Sequence, residues 1–101
     1  MTIFGNNGQI VNTSKNANWW SDGSTQTKTN NSIYDGNSIA TKTNNTMWTK
    51  TGTVTHSRNT FWGPDGTYNL SGDILHGPNG QIWTGVNSED DAMSIIAHKL
   101  K

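Results

Sequence analysis

The chain has 101 residues, of which only 30% are hydrophobic and 14% are charged, so a domain of ordinary length must fold with few aliphatic side chains. Seven basic and seven acidic residues cancel, which excludes a whole-molecule field that attracts nucleic acid or an anionic membrane. No cysteine is present, which excludes disulfides and thiolate chemistry. Fifteen threonines and fourteen asparagines dominate the composition, and these residue types favour many short strands and many turns.

Residues 1–87 contain six repeats, each marked by a glycine. Five of the six marker glycines follow Asn or Asp, and these dipeptides are the strongest short-range signal for a two-residue hairpin turn. A second reversal follows about half a repeat later, for example at Asn30-Asn31 or Asn44-Asn45, so each repeat is a pair of short strands. The markers are Gly8, Gly23, Gly36, Gly52, Gly66 and Gly80, with spacings of 15, 13, 16, 14 and 14 residues.

This pattern predicts a mainly β fold. We expect residues 1–87 to form an antiparallel meander of about six hairpins in a single-layer or curled sheet. Twelve strands exceed the roughly ten that an open twisted sheet usually holds, so curling, a second layer or self-association is expected. A parallel β-solenoid is the alternative, because repeats of this length would also stack as coils.

Residues 88–101 predict one C-terminal helix. Ser88 is the expected N-cap, and the acids Glu89, Asp90 and Asp91 occupy the first turn, where the helix dipole favours them. His98 and the neighbouring lysines suit the opposite end. The apolar stripe consists of Met93, Ile96, Ala97 and Leu100. We expect this stripe to cover the terminal hairpins as a cap within a single domain, with burial in a dimer as the alternative.

Aromatic residues recur at similar positions of successive repeats. Rings spaced regularly on an open sheet face would form a platform for sugar rings or bases. Because aliphatic residues are scarce, we expect most rings to serve the core instead. The candidate platform residues are Trp19, Trp48, Trp62, Trp83, Tyr68 and His76.

Basic residues also recur with the repeat. They lie near the second turn of each repeat, at the edge of the sheet away from the Asn-Gly and Asp-Gly turns. They would line one rim of the sheet, whereas Asp22, Asp35 and Asp65 would line the other. A basic rim can meet phosphates, but the zero net charge favours a solvated or protective edge. The rim residues are Lys15, Lys28, Lys42 and Arg58, separated by 13, 14 and 16 residues.

The sequence lacks the common catalytic signatures. It has neither a GxxxxGK phosphate loop nor an HExxH motif, and His56 and His76 belong to different columns of the repeat, which does not favour a metal or catalytic pair. We therefore expect no enzymatic activity, no cofactor and no metal. The N-terminal residues lack the pattern of a secretory signal, and no segment is long enough to span a bilayer, so we expect a cytoplasmic protein without a membrane partner.

The segment Asn59–Tyr68, NTFWGPDGTY, resembles the repeat unit of a group of uncharacterised bacterial proteins. Their tandem units follow N-T-x-aromatic-G-x-D-G-x-x-aromatic, and Asn45–Trp48 shares the beginning of that pattern without its Asp-Gly. The aromatic-x-Asp-x-Gly spacing is also similar to tyrosine-aspartate repeats of bacterial toxin shells and to cell-wall-binding hairpin repeats. The resemblance implies tandem β repeats, and no activity, cofactor or binding residue.

These observations favour a non-enzymatic repeat β protein that acts as a scaffold or interaction surface, with a second copy or another protein as partner. One alternative is a carbohydrate-binding module that uses the aromatic platform. Another is an ice-binding or structural β-solenoid that uses threonine-rich faces such as 25–29 and 41–43. Nucleic acid is not a favoured partner, because the net charge is zero.

Overall fold

The computed structural model describes residues 1–101. Twelve short antiparallel strands close into a barrel, and one α-helix lies inside it. The strands are β1 (Thr2–Gly5), β2 (Ile10–Thr13), β3 (Ala17–Trp20), β4 (Thr25–Lys28), β5 (Ser32–Asp35), β6 (Ser38–Lys42), β7 (Thr46–Trp48), β8 (Thr53–Ser57), β9 (Thr60–Gly63), β10 (Gly66–Ser71), β11 (Ile74–His76) and β12 (Ile82–Thr84). A 3-10 turn spans Pro78–Gly80, and the helix α1 spans Glu89–Lys99.

The barrel closes where the first strand meets the last. Phe4 of β1 lies opposite Thr84 of β12, and Gly5 lies opposite Trp83. The backbone N–H of Asn6 extends this contact by donating to the carbonyl of Ile82 at 2.9 Å. Closure removes the free edges that an open sheet would present to other chains.

The predicted mainly β, antiparallel hairpin architecture with one C-terminal helix is confirmed, but the predicted open sheet is wrong, and so is the solenoid. All twelve pairings are antiparallel and join the strands into one ring. The register also shifts by two residues along each second strand. On one side of β8, Thr53 faces Trp48 within the hairpin; on the other side, Thr55 faces Trp62 of the next hairpin. Such a repeated offset tilts the strands, and tilted strands close rather than extend.

The turn chemistry follows the prediction in part, because only one of the five Asn-Gly and Asp-Gly dipeptides has positive φ at both residues, and in the other four only the glycine does. Between β11 and β12, Asn79 and Gly80 both take positive φ angles, of 62° and 78°, as a two-residue hairpin turn of the type I′ class requires. The opposite reversals predicted at Asn30-Asn31 and Asn44-Asn45 also separate consecutive strands. Local turn signals therefore locate most strand ends correctly.

Alternation along each strand sends every second side chain into the barrel. The inward residues from the strands are mostly apolar and fully buried, and large rings compensate for the scarcity of aliphatic residues. Trp83, Tyr68 and Phe61 are the largest side chains among those with almost no exposed surface. The inward face of the sheet thus supplies a continuous core in spite of the low hydrophobic content.

The sequence predicts that the helix α1 covers the terminal hairpins. In the structure, α1 fills the barrel instead. Its N-cap is Ser88, as expected, and the Ser88 hydroxyl accepts a hydrogen bond from the Asp91 N–H at 3.1 Å. Residues 91–98 are all buried, including positions outside the predicted apolar stripe. The reason is that strands surround the helix, so every side of it meets the sheet.

A buried amide links the helix to the weakest repeat. Strand β4 has no apolar side chain, and its inward residue Gln26 takes that place by hydrogen bonding. Its Oε1 accepts from Asn18 Nδ2 and Trp20 Nε1, both at 2.9 Å, and its Nε2 donates to the Ser94 carbonyl at 2.9 Å. Three hydrogen bonds to this amide offset most of the desolvation cost that an unpaired one would carry.

Candidate functional site

The outer wall of the barrel, defined as the outward-facing side chains of the twelve strands, carries no charged residue. Only three strand residues are charged, and Lys28, Asp35 and Lys42 all occupy inward positions near the barrel ends. Every other acidic or basic residue lies in a turn or in the C-terminal segment. The wall consists instead of threonine, serine and asparagine side chains, isoleucines and aromatic rings.

The rings form a belt around this wall, one on every second strand. Each ring faces a residue of the next strand across its own hairpin, and that partner is threonine for the three tryptophans and isoleucine for the other three rings. The belt residues in chain order are Phe4, Trp19, Tyr34, Trp48, Trp62 and His76.

The clearest binding surface on the belt is the β8 patch, which we define as Trp48, Trp62, Thr53 and Thr55. Strand β8 runs between the two tryptophans, and its threonines face Trp48 and Trp62, respectively. Each indole is 46% exposed, as expected for a ring with one covered and one open face. Two strand spacings across the sheet and an offset of two residues along it place the rings about 12 Å apart, a separation on the scale of two to three sugar units.

The threonine hydroxyls of the β8 patch have no protein partner. Among the outward threonines of the strands, only two bond to other side chains: Thr2 donates to Asn12 at 2.7 Å and Thr60 to Asn69 at 2.9 Å. The hydroxyls of Thr53 and Thr55 make no such bond, and both residues are exposed. They are therefore free to donate to, and accept from, a molecule that lies across the two rings.

The structure divides the predicted aromatic platform. Trp19, Trp48, Trp62 and His76 face outward, whereas Trp83 and Tyr68 are buried inside the barrel. These last two cannot belong to a surface platform. The error has a physical reason, since one residue of displacement along a strand moves a side chain to the opposite face.

The predicted basic rim lies at the barrel end that surrounds the N-terminus of α1. Lys15 and Arg58 are exposed in turns, whereas Lys42 reaches Asp90 of the helix at 3.2 Å. Burial lowers the pKa of the Lys28 amine; the carboxylates of Asp91 and Asp90 oppose this effect, and the charge of Lys42 adds to it.

Two adjoining cavities of about 250 and 270 Å³ lie at this rim. They share Asn30, Lys42 and Asp90 as lining residues, so they carry charges of both signs. The ring Nε2 of His56 lies 2.9 Å from the carboxylate of Glu89. Lys42 and His56 thus pair with acids of α1 and hold the helix in place, whereas Lys15 and Lys28 line the second cavity without an ion pair to the helix.

The opposite rim holds the C-terminal end of the helix through acids. Lys99 lies 3.5 Å from Asp65, and His98 lies between two carboxylates: its Nδ1 is 2.6 Å from Asp35 and its Nε2 is 2.8 Å from Asp22. The predicted acidic edge is thus an anchor. The His98 contact was missed because the sequence suggested only a dipole role for this residue.

Burial is also the main influence on two other groups at this rim. It raises the pKa of the Tyr68 hydroxyl, which also donates to Asp65 at 2.5 Å. It lowers the pKa of the Lys99 amine, against the opposing effect of the nearby Asp65 carboxylate. No cavity opens onto these three side chains, so the cluster has a structural role.

Histidine and carboxylate side chains do not assemble into any group of three that could hold a metal ion. His56 stacks on Phe61 with ring centroids 4.4 Å apart, whereas His76 lies on the outer wall. The helix α1 is neither long nor apolar enough to cross a membrane.

The β8 patch was partly visible in the sequence, because Trp48 and Trp62 both occupy the aromatic column of the repeat. The threonines were not identified, since the repeat does not state which residue of the middle strand faces outward. Comparison with known proteins adds no further assignment: the chain matches no family model, no curated protein and no solved structure.

Proposed function

We propose that this protein is a non-enzymatic binding module that holds an uncharged polysaccharide on the outer wall of its barrel, at the β8 patch. The observation that carries the proposal is the combination of two half-exposed indole rings with free threonine hydroxyls on a wall without charge.

The chemistry of a sugar fits this surface. A pyranose ring has an apolar C–H face that packs on an indole face, and an equatorial edge of hydroxyls that both donate and accept hydrogen bonds. Trp48 and Trp62 offer the faces, and Thr53 and Thr55 offer the hydroxyls between them. The rigid, closed sheet holds these groups in place before binding, which lowers the entropic cost of association.

The absence of wall charge favours neutral ligands over ionic ones. Single-stranded nucleic acid also stacks on aromatic rings, but its affinity depends on cations that follow the phosphates. No lysine or arginine lies on the wall within the strands. An anionic polysaccharide would lack a counter-charge for the same reason.

Electrophoresis of the folded protein in native gels that contain soluble polysaccharide tests this function. We expect retardation by at least one of three neutral polymers (hydroxyethyl cellulose, galactomannan or dextran) and none by alginate. The variant Trp48→Ala/Trp62→Ala loses two stacking contacts of about 1 kcal/mol each, so the affinity of the β8 patch should fall at least about tenfold and retardation of the protein should decrease.

The matched control is Ile39→Ala, which removes an exposed apolar side chain of the wall outside the β8 patch. It should keep the affinity of the original protein. Thr53→Val/Thr55→Val preserves volume but removes both hydroxyls, and it should weaken binding without changing thermal stability greatly. Equal retardation of all these variants, or no retardation by any neutral polymer, contradicts the proposal.

A second candidate function is self-association through the junction between β12 and β1. Phe4, Ile10 and Ile82 are exposed there by 53%, 37% and 36%, and Phe4 faces Ile10 directly. Contiguous exposed apolar side chains are typical of protein contacts. Sedimentation measures the mass of the original protein and of Phe4→Ser. If this junction self-associates, the original protein should be a dimer and Phe4→Ser a monomer; a monomer in both cases contradicts this candidate.

A further inference from the structure

The outer wall carries a second surface with the same arrangement as the β8 patch. We define the β4 patch as Trp19, Tyr34, Thr25 and Thr27. Strand β4 runs between the two rings, with Thr25 facing Trp19 and Thr27 facing Tyr34. The order along the wall is ring, threonine, threonine, ring, as it is around β8.

The two patches are also alike in exposure and in free hydrogen-bonding groups. Trp19 is 49% exposed and Tyr34 is 42% exposed, close to the values of the two β8 rings. The hydroxyls of Thr25 and Thr27 make no hydrogen bond to protein, and both residues are exposed. Each patch therefore offers the same chemistry to a ligand.

The barrel points these patches in different directions. Strands β4 and β8 are four places apart in a ring of twelve, so their outward faces differ by a third of a turn. A closed barrel of this size curves away from any straight line that touches it. An extended polymer lying on one patch leaves the surface before it reaches the other.

We propose that the protein has two independent polysaccharide sites, the β4 patch and the β8 patch, and that it bridges two separate polymer chains. This inference rests on the proposed function, because it assigns the same ligand class to both patches. It adds a further activity, the cross-linking of polymers, which one site cannot provide.

The third equivalent position differs in its chemistry. Strand β12 lies four places from both β4 and β8, and its outward residues Ile82 and Thr84 face His76 and Phe4. It lacks an indole or phenol ring, and isoleucine replaces one of the threonines. We therefore count two polysaccharide sites and not three.

A capture assay tests bridging. Beads coated with galactomannan, or with whichever of the three neutral polymers retards the protein, are mixed with the same polymer in soluble, fluorescent form. The original protein should retain fluorescence on the beads. For each of the variants Trp48→Ala/Trp62→Ala and Trp19→Ala/Tyr34→Ala, the fluorescence retained on the beads should fall at least tenfold. Each variant should still be retarded in the gel, because its other patch is intact.

The quadruple variant should lose both capture and retardation. Circular dichroism and thermal unfolding report whether each variant is folded, and the valine variants Thr25→Val/Thr27→Val and Thr53→Val/Thr55→Val repeat the test with all rings intact. Retardation of the original protein without capture would overturn bridging, as would complete loss of retardation on changing a single patch. No retardation of the original protein would overturn the proposed function as well.

Discussion

At the scale of single residues, the most constrained group is the imidazole of His98. Its two ring nitrogens each lie within hydrogen-bonding distance of a carboxylate, and both nitrogens donate only when the ring is doubly protonated. The ring also stacks on Trp20, with centroids 3.8 Å apart and an interplanar angle of 15°. One side chain thus fixes the last turn of the helix by hydrogen bonding and by packing.

We predict that His98→Phe destabilises the protein by about 3 kcal/mol or more. Phenylalanine keeps the stacking on Trp20, but it leaves the Asp35 carboxylate, only 4% exposed, with Lys101 as its remaining partner at 3.3 Å. Breaking a buried ion pair from one side leaves a charge that is poorly compensated. Urea denaturation at neutral pH measures the difference.

The control for this substitution is Ser94→Ala, in the same buried helix. The Ser94 hydroxyl is buried without a hydrogen-bond partner, and alanine favours helix more than serine does. This variant should be as stable as the original protein or slightly more stable. A loss of stability as large as that of His98→Phe would show that any change in the packed helix is damaging, and that the ion pairs are not special.

Asp22 gives a prediction about pH. The Ser24 backbone N–H, followed by the His98 contact, lowers the pKa of this carboxyl from 3.8 to about 2, against the opposing effect of burial. Because the folded-state pKa lies below the unfolded value, the contribution is complete above pH 4 and is lost as the pH falls through 2. Asp22→Asn keeps the turn acceptor but not the charge.

We therefore expect Asp22→Asn to be less stable than the original protein by up to about 1 kcal/mol at pH 6, with a difference that narrows steadily between pH 4 and pH 2. Urea titrations at several pH values measure it. A difference that stays constant down to pH 2 would indicate that the carboxylate charge plays no part.

At the scale of elements, the closure of β12 onto β1 depends on a glycine. Gly85 follows β12 with φ of +98°, and a Cβ added there would lie 2.7 Å from the carbonyl oxygen of Thr2. Gly8 has almost the same φ, +92°, and no atom within 4 Å of an added Cβ. The two positions share the backbone strain and differ in the steric clash.

Gly85→Ala should therefore destabilise the barrel by about 1–3 kcal/mol more than Gly8→Ala, because only Gly85→Ala forces β1 away from its partner. The cost at Gly8 reflects left-handed strain alone, about 1–2 kcal/mol. Thermal unfolding of the two variants under the same conditions gives the comparison. Equal destabilisation would mean that β1 can move without cost.

The elements themselves could largely be predicted from the sequence, because each depends on local chemistry. The dipeptide Asn79-Gly80 specifies a tight turn, and Ser88 followed by three acids specifies a helix start. The direction of the side chains could not be predicted as well. Trp19 and Trp20 are adjacent and face opposite sides, and only the closed barrel determines which of them is inside.

At the scale of the whole molecule, the two charged rims set the polarity of the helix. Acids of its first turn meet Lys42 and His56 at one end, whereas its last turn and the C-terminal lysine meet acids at the other. A reversed helix would place like charges together at both rims. The alternating Lys and Asp positions of the repeats, which the sequence predicted as two rims, acquire their role only once the helix lies between them.

A chain of residues 1–87 should fail to form the barrel. Without α1, the inward faces of residues such as Phe61 and Met47 would line a water-filled interior, and Gln26 would lose its helix partner. Adding a peptide of residues 88–101 should restore the near-ultraviolet signal of the buried tryptophans. A cooperative unfolding transition of the 1–87 fragment alone would contradict this account.

This dependence could not be inferred from the amphipathic stripe of the helix. A stripe at Met93, Ile96 and Leu100 specifies one buried side, which suits a helix lying on a sheet. The remaining sides carry His98, whose ring is bonded by Asp35 of the strands, and the backbone carbonyl of Ser94, which accepts a hydrogen bond from Gln26. Such polar matches depend on the tertiary fold and leave no mark in a local pattern.

The position of α1 after all twelve strands also has a consequence for synthesis on the ribosome. The strands leave the exit tunnel first, but the segment that completes their core is made last, and β1 cannot stay paired with β12 around an empty centre. Most domains can begin to collapse while their C-terminal part is still being translated. The twelve strands must wait for α1, so the unfinished sheet is the stage of folding most in need of protection by a chaperone.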